Sequence, residues 1–180
     1  DRWSDWVVTQ EMLADISEDV EQRVERMIAV SMRQCEVESP AVAIDTLRRL
    51  FVDLPERGDV YSALDSLCVE ASETELLTDT IEDVLEEAPD LENAQKYLLR
   101  LQELYDEGTE DSEKMKSVCS RLLSFEDSEV PSLYRLISIA EKAEVWADCV
   151  RWSNQLLDHL DDAEERSERF ERIAHYHESS

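Results

Sequence analysis

Four cysteines and three histidines are the side chains with which this sequence could bind a metal or attack a substrate. Zinc and iron–sulfur sites commonly use Cys-x-x-Cys pairs, and no such pair is present. The cysteines, 33, 51 and 30 residues apart, are Cys35, Cys68, Cys119 and Cys149. His175 and His177 lie two residues apart, which on a helix directs them to different sides. We therefore predict no metal site and no cofactor, and we interpret the cysteines as small buried side chains in a reducing, cytoplasmic compartment, with a bacterial origin expected.

Glycine content argues against catalysis. Phosphate-binding loops and strained nucleophile turns need several glycines within a short span, and this chain has only Gly58 and Gly108. Its 45 aspartates and glutamates are so numerous that choosing any two for acid–base chemistry would be arbitrary. We predict that the chain has no catalytic residues and is not an enzyme.

Charge narrows the range of partners. The net charge is −27, because 45 acidic residues face only 18 lysines and arginines. Such a surface repels a phosphate backbone, so we expect no nucleic-acid partner. No run of about 18 apolar residues is present, so we expect no membrane partner. Two interpretations of the negative charge remain. It attracts a basic protein partner, or the charged side chains are simply solvated.

The spacing of prolines and apolar residues then predicts the elements. Pro55 and Pro89 lie 34 residues apart, and each closes an apolar helical segment in the same register. The matched apolar positions are Ala43 with Leu77, Leu47 with Ile81, and Leu50 with Val84. A fixed period near 34, with two helices per unit, is typical of helical repeat arrays. Such arrays bind proteins far more often than they catalyse reactions.

Apolar spacing predicts about ten helices along the chain. Ser39 followed by Pro40 predicts a helix start. Ser72 with Glu75 three residues later predicts a capping box that opens another helix. Pro131 predicts the start of an eighth helix, with Ser128 as its cap.

A second internal similarity supports the repeat independently. Residues 1–31 align with 144–174 at ten identical positions, against about two or three expected by chance. The identities include Trp3 with Trp146 and Leu13 with Leu156. The two ends of the chain are therefore interpreted as copies of one unit. Because the first residue is Asp1 and not methionine, we expect a fragment of a longer array.

The pattern resembles that of tetratricopeptide-repeat proteins. Residues that occupy the family's characteristic places are Met27, Val30, Ala43, Leu47, Leu50 and Pro55 in one repeat and Tyr61, Leu64, Cys68, Leu77, Ile81, Val84 and Pro89 in the next. Asp65 and Leu50 depart from it, since a small residue is usual at both places. The resemblance covers residues 24–91 in good register and implies an all-α fold, a right-handed superhelical solenoid of about ten antiparallel helices, with residues 1–180 as one domain.

The resemblance also implies a binding surface on the concave face, lined by the first helix of each pair. The residues it places there are Glu25, Ile28, Met32, Asp59, Ser62, Ser66, Asn93, Lys96 and Arg100. Family members that grip a peptide carboxylate need several Lys, Arg and Asn on this face. Here only Asn93, Lys96 and Arg100 cluster, and ion pairs with nearby glutamates are the more ordinary interpretation.

Tryptophans are the remaining candidates for recognition. Trp3 and Trp146 recur at matched places, which favours a core role. Trp6 and Trp152 do not recur. They are candidate exposed aromatic anchors, although core burial is the interpretation we favour for a tryptophan.

The sequence predicts a protein–protein interaction scaffold that binds a peptide or protein on its concave face. Two alternatives stay open. One is a regulatory or oligomerising segment of a larger multidomain enzyme. The other is a structural repeat that self-associates end to end.

Overall fold

The computed structural model describes residues 2–108 and 112–179, which form ten α-helices and no strand. The helices are α1 Arg2–Asp15, α2 Val20–Val37, α3 Pro40–Asp53, α4 Gly58–Ala71, α5 Thr74–Glu87, α6 Ala94–Gly108, α7 Ser112–Leu122, α8 Glu126–Lys142, α9 Trp146–Leu157 and α10 Ala163–Ser179. Short connections join them. The all-α class and the number of helices predicted from the sequence are confirmed.

Three of the four prolines, Pro40, Pro55 and Pro89, begin or end helices where the sequence predicts. Pro40 is the first residue of α3, where its missing N–H would have no intrahelical partner. α3 ends at Asp53, just before Pro55, and α5 ends at Glu87, just before Pro89. A residue before proline is disfavoured in the helical conformation, which explains both stops.

The predicted capping box at Ser72 is wrong. Ser72 is instead the C-terminal cap of α4, in the left-handed conformation with φ 61° and ψ 32°. Its backbone N–H donates to the carbonyl oxygens of Cys68 and Val69. Glu73, and not Ser72, precedes α5, and its side chain makes no capping bond. The chain must leave α4 and enter α5 within two residues, and a left-handed residue stops a helix most directly.

The predicted start of α8 at Pro131 is also wrong, because the helix begins five residues earlier and contains the proline. Carboxylates at Glu126, Asp127 and Glu129 lie in its first turn, where they interact favourably with the positive end of the helix dipole. The missing proline N–H deprives only the carbonyl of Asp127, an exposed residue that water can reach. Ser128 is not a cap: it is buried and its hydroxyl accepts a hydrogen bond of 2.9 Å from the Gln95 amide.

Two compact units make up the chain, Asp1–Ala94 and Gln95–Ser180. In the first, each of α1 to α4 packs on the helix that follows it, and α2 also contacts α4 while α3 contacts α5. In the second, α8 packs on α7 and on α9, and α10 packs on α9. The expectation of one solenoid domain over 1–180 stays a prediction.

Core packing in the first unit follows the 34-residue period. Ala43, Leu47 and Leu50 are each at most 3% exposed. Their counterparts Leu77, Ile81 and Val84 are at most 4% exposed. The apolar register of the sequence is therefore the register of the hydrophobic core.

Two buried side-chain hydroxyls differ in hydrogen bonding: that of Thr46 has a partner, and that of Ser153 has none. Thr46 of α3 donates to the Gln34 side-chain oxygen of α2 across 2.8 Å, and both residues are buried. On α9, by contrast, the hydroxyl of Ser153 is buried without a hydrogen-bond partner. These two hydroxyls offer a direct comparison of what a buried hydrogen bond contributes.

Candidate functional site

A groove opens between α2 and α4, with α3 behind it, and encloses about 350 Å³. We call it the α2/α4 groove; its lining residues are Ser31, Met32, Cys35, Glu36, Leu47, Ala63, Ser66, Leu67 and Glu70. Met32 and Ser66, both predicted binding residues, line it from opposite helices. They lie 34 residues apart, as do Glu36 and Glu70. The repeat register therefore places equivalent positions of two neighbouring helices face to face.

The inner surface of the groove is mainly apolar. Leu47 of α3 forms its floor and is 2% exposed, whereas the Met32 side chain is 67% exposed at one wall. Leu67 lies on the facing helix. Ser31 donates to the Ile28 carbonyl oxygen across 2.8 Å, so its hydroxyl is already bonded within α2. The groove can therefore accept an apolar side chain, with Met32 as an adaptable contact.

Carboxylates lie beside this apolar surface. Glu36 pairs with Arg33 on the same helix. Glu70 forms no ion pair with any residue in the described parts of the chain, and it lies in a molecule of net charge −27. The groove therefore presents negative potential to a ligand.

The other predicted residues of α2 and α4 lie outside the groove lining. Glu25 is exposed and Ile28 half-buried on α2. Asp59 is bound by the Arg57 guanidinium across 2.7 Å, and this hydrogen bond lowers the pKa of Asp59. The Ser62 hydroxyl donates to the Gly58 carbonyl oxygen across 2.7 Å. These four residues are placed on exposed or half-buried positions, but they do not meet Met32 and Ser66 in one site.

Asn93 and Arg100, two of the residues considered for gripping a peptide carboxylate, bond to other groups of the chain. Asn93 donates its amide to the Glu56 carbonyl oxygen across 2.9 Å. Arg100 binds Glu103 across 2.8 Å, one helical turn along α6. Lys96 is exposed on the same helix. For Arg100, the interpretation as an ion pair with a nearby glutamate is the one that the geometry supports.

The two candidate aromatic anchors, Trp6 and Trp152, differ in how much of each side chain is exposed. Trp6 is 39% exposed and stacks on Trp3 with ring centroids 5.3 Å apart. Trp152 is 4% exposed, so the expectation that it is an exposed anchor is wrong. It lies on α9, which packs against both α8 and α10, and the Arg151 guanidinium lies 3.8 Å from its ring centroid. A helix packed on two neighbours has little free surface, which accounts for the burial of this ring.

Of the groove lining, only Met32 and Ser66 were predicted from the sequence as binding residues, and the carboxylates Glu36 and Glu70 were missed. Cys35 was also missed, because all four cysteines were interpreted as buried. It is half-buried and lines the groove, whereas the other three are buried. Burial raises the pKa of the Cys68 and Cys119 thiols to about 11. The spacing of three residues between Met32 and Cys35 could have revealed their common face.

The described residues contain neither a cluster of metal ligands nor a helix that could span a membrane. Among residues 2–108 and 112–179, no group of three or more His, Cys, Asp or Glu side chains is placed to hold a metal ion. No helix within these ranges is both long and apolar enough to cross a bilayer.

Comparison with known proteins gives a structural likeness and no match in sequence. No protein-family model matches the chain, and no curated protein matches it. Among solved structures it is similar to the crystal structure of MamA, with 13% identity, a TM-score of 0.45, and coverage of 97% of this chain and 92% of that chain. A likeness at this level carries no functional information. From its own helices, the chain is an all-α protein of successive packed helix pairs, the fold that its resemblance to tetratricopeptide repeats predicts.

Proposed function

We propose that this chain is a protein-interaction scaffold that binds a basic segment of a partner protein in the α2/α4 groove. The observation that carries the proposal is an open groove with an apolar floor and with carboxylates at its edge. Helix pairs supply rigid walls for such a site, because each wall is fixed by packing on α3.

In the proposed complex, one apolar side chain of the partner lies on Leu47, between Met32 and Leu67. Burial of one leucine-sized side chain contributes about 1.5–3 kcal/mol. Lysine or arginine residues next to it face Glu36 and Glu70. Exposed charge pairs of this kind act mainly on the association rate and on salt dependence. We therefore expect binding that weakens as salt is added.

Synthetic peptides test both parts of this proposal. A fluorescein-labelled peptide with a central leucine flanked by arginines is expected to bind, as measured by anisotropy. Two matched peptides, with the leucine replaced by serine or the arginines by glutamate, are expected to bind weakly. Equal binding by all three would contradict the proposal.

Three protein variants locate the site. Glu70→Lys reverses a charge at the groove, and we expect the Kd to rise by about threefold to tenfold. Glu86→Lys makes the same change at an exposed position of α5 and serves as the matched control. Ser66→Phe fills the groove from an exposed position and should abolish binding without lowering the unfolding temperature. If Glu86→Lys weakened binding as much as Glu70→Lys, the acidic field alone, and not the groove, would be responsible.

A further inference from the structure

The two walls of the α2/α4 groove carry equivalent carboxylates that differ in their neighbours. Glu36 on α2 and Glu70 on α4 lie at matched places of the 34-residue period, and both line the groove. Arg33 precedes Glu36 by three residues, and on a helix this spacing places both side chains on one face. The same spacing in α4 places Leu67 before Glu70. One wall therefore has a cation next to its carboxylate, and the other wall has an apolar side chain.

Two contacts hold the Arg33 side chain beside Glu36. Its guanidinium forms an ion pair with the Glu36 carboxylate on the same helix. The Arg33 Cζ atom also lies 5.7 Å from the centre of the Trp3 ring of α1, which is within the range of a cation–π contact. The ring is fixed in turn, because the Trp3 indole N–H donates to the Glu38 side-chain oxygen across 3.2 Å. The guanidinium is therefore kept close to Glu36.

Glu70 has no such neighbour. No residue that the structure describes forms an ion pair with it, and its side chain is exposed. The other lining residues of the α4 wall, Ala63, Ser66 and Leu67, carry no charge. A cation from a partner can therefore pair with Glu70 without breaking an ion pair that already exists.

A partner cation that bound Glu36 would have to displace Arg33. One ion pair would then replace another, so the number of pairs would not change. Each exposed pair contributes little, and such an exchange gives almost no gain in affinity. At Glu70 a pair forms and none is lost. The favourable electrostatic contribution to binding therefore comes from the α4 wall alone.

We propose that Arg33 makes the α2/α4 groove specific for a segment with one basic residue beside its apolar side chain, and that this basic residue pairs with Glu70. The inference rests on the proposed function, since it concerns the same groove. It specifies the partner further: a lysine or arginine on one side of the apolar residue contributes to affinity, and a second one on the other side does not. Arg33 is then a specificity-determining residue, and its removal creates a groove for two basic residues.

Protein variants test the role of Arg33 by anisotropy with the peptide that has arginine on both sides of leucine. Salt at about 0.15 M screens charges that are more than about 8 Å apart. Arg33→Gln releases Glu36, and we expect the Kd to fall by about twofold to fivefold. The double variant Arg33→Gln/Glu36→Gln has the net charge of the wild type and should return to the wild-type Kd. Arg49→Gln is the matched control, because Arg49 on α3 also pairs with a carboxylate of its own helix, Asp45, and lies outside the groove lining.

Peptide variants test the same specificity from the side of the partner. Two further peptides keep a single arginine, before or after the leucine, and carry glutamine in place of the other. The wild type should bind one of them as tightly as the peptide with two arginines, and that peptide identifies the direction in which the segment lies. Arg33→Gln should bind the peptide with two arginines about twofold to fivefold more tightly than either of the others. Circular dichroism establishes that each variant is folded, which is expected because the Arg33 side chain is 55% exposed.

The outcomes separate this inference from the proposed function. Wild-type binding without any gain in Arg33→Gln would overturn the inference alone. So would a double variant that binds as tightly as Arg33→Gln, because Glu36 would then not be the carboxylate released. An equal gain in Arg49→Gln would assign the effect to net charge and would also overturn it. Absence of binding by the wild type and by every variant would contradict the proposed function, and this inference with it.

Discussion

Removal of a buried hydroxyl should affect the free energy of unfolding differently at two positions of this chain. Thr46→Val keeps the shape of the side chain but leaves the Gln34 oxygen, in a residue 4% exposed, without its donor. An unsatisfied buried polar group costs about 1–3 kcal/mol. Ser153→Ala removes a hydroxyl that has no partner, so nothing is left unpaired. We expect Ser153→Ala to leave the free energy of unfolding unchanged or to raise it by up to about 1 kcal/mol.

Thermal unfolding followed by circular dichroism at 222 nm measures both effects. For a chain of this size, 1 kcal/mol shifts the unfolding temperature by about 2–4 °C, so a loss of about 2 kcal/mol in Thr46→Val corresponds to about 4–8 °C. Ser153→Ala should show no decrease. If both variants lost the same number of degrees, the difference in hydrogen bonding would not determine stability at these positions, and the reasoning would be refuted.

Three further predictions concern reactivity and pH. Cys35 should react with a thiol reagent faster than the three buried cysteines, and a peptide bound in the groove should slow that reaction; equal rates for all four thiols would contradict this assignment. Burial, followed by the hydrogen bond to Glu141, raises the pKa of Tyr176 to about 12, so its contribution to stability is complete below about pH 10 and is lost between about pH 10 and 12. Denaturation of wild type and Tyr176→Phe between about pH 10 and 12 measures this loss. Parallel curves of unfolding free energy against pH for the two proteins would refute the prediction. Arg57 lowers the pKa of Asp59, so the stability lost in Arg57→Ala should shrink below about pH 4, as urea unfolding at pH 7 and pH 3 can show.

The helical class, the number of helices and the core register could be predicted from the sequence. Those features depend on apolar spacing and on proline, both of which act locally. The 34-residue spacing of Leu47 and Ile81 reflects their burial directly, because equivalent core positions must be apolar in each repeat.

Two errors arose where tertiary context overrides a local preference, and one alternative was left open. Ser72 has the side chain of an N-terminal cap, but the tight reversal after α4 uses it as a left-handed stop. Pro131 signals a helix start, yet the acidic turn before it is already helical. The sequence left open whether the Trp152 side chain is exposed or buried, because its burial depends on two neighbouring helices.

The candidate site was partly predictable for a similar reason. The family resemblance indicates which helix faces are candidates for binding, and two of the residues it names, Met32 and Ser66, line the α2/α4 groove. It does not indicate which side chains on that face are already bonded within their own helix or loop, as Asp59 and Arg100 are. Such local pairs depend on rotamers that apolar periodicity does not specify.

Hydrogen–deuterium exchange with and without the arginine–leucine peptide tests the central claim most directly. If the α2/α4 groove is the binding site, protection should appear in residues 31–36 of α2 and 63–70 of α4, and it should vanish in Ser66→Phe. Protection elsewhere, or unchanged exchange in both segments at saturating peptide, would contradict the account.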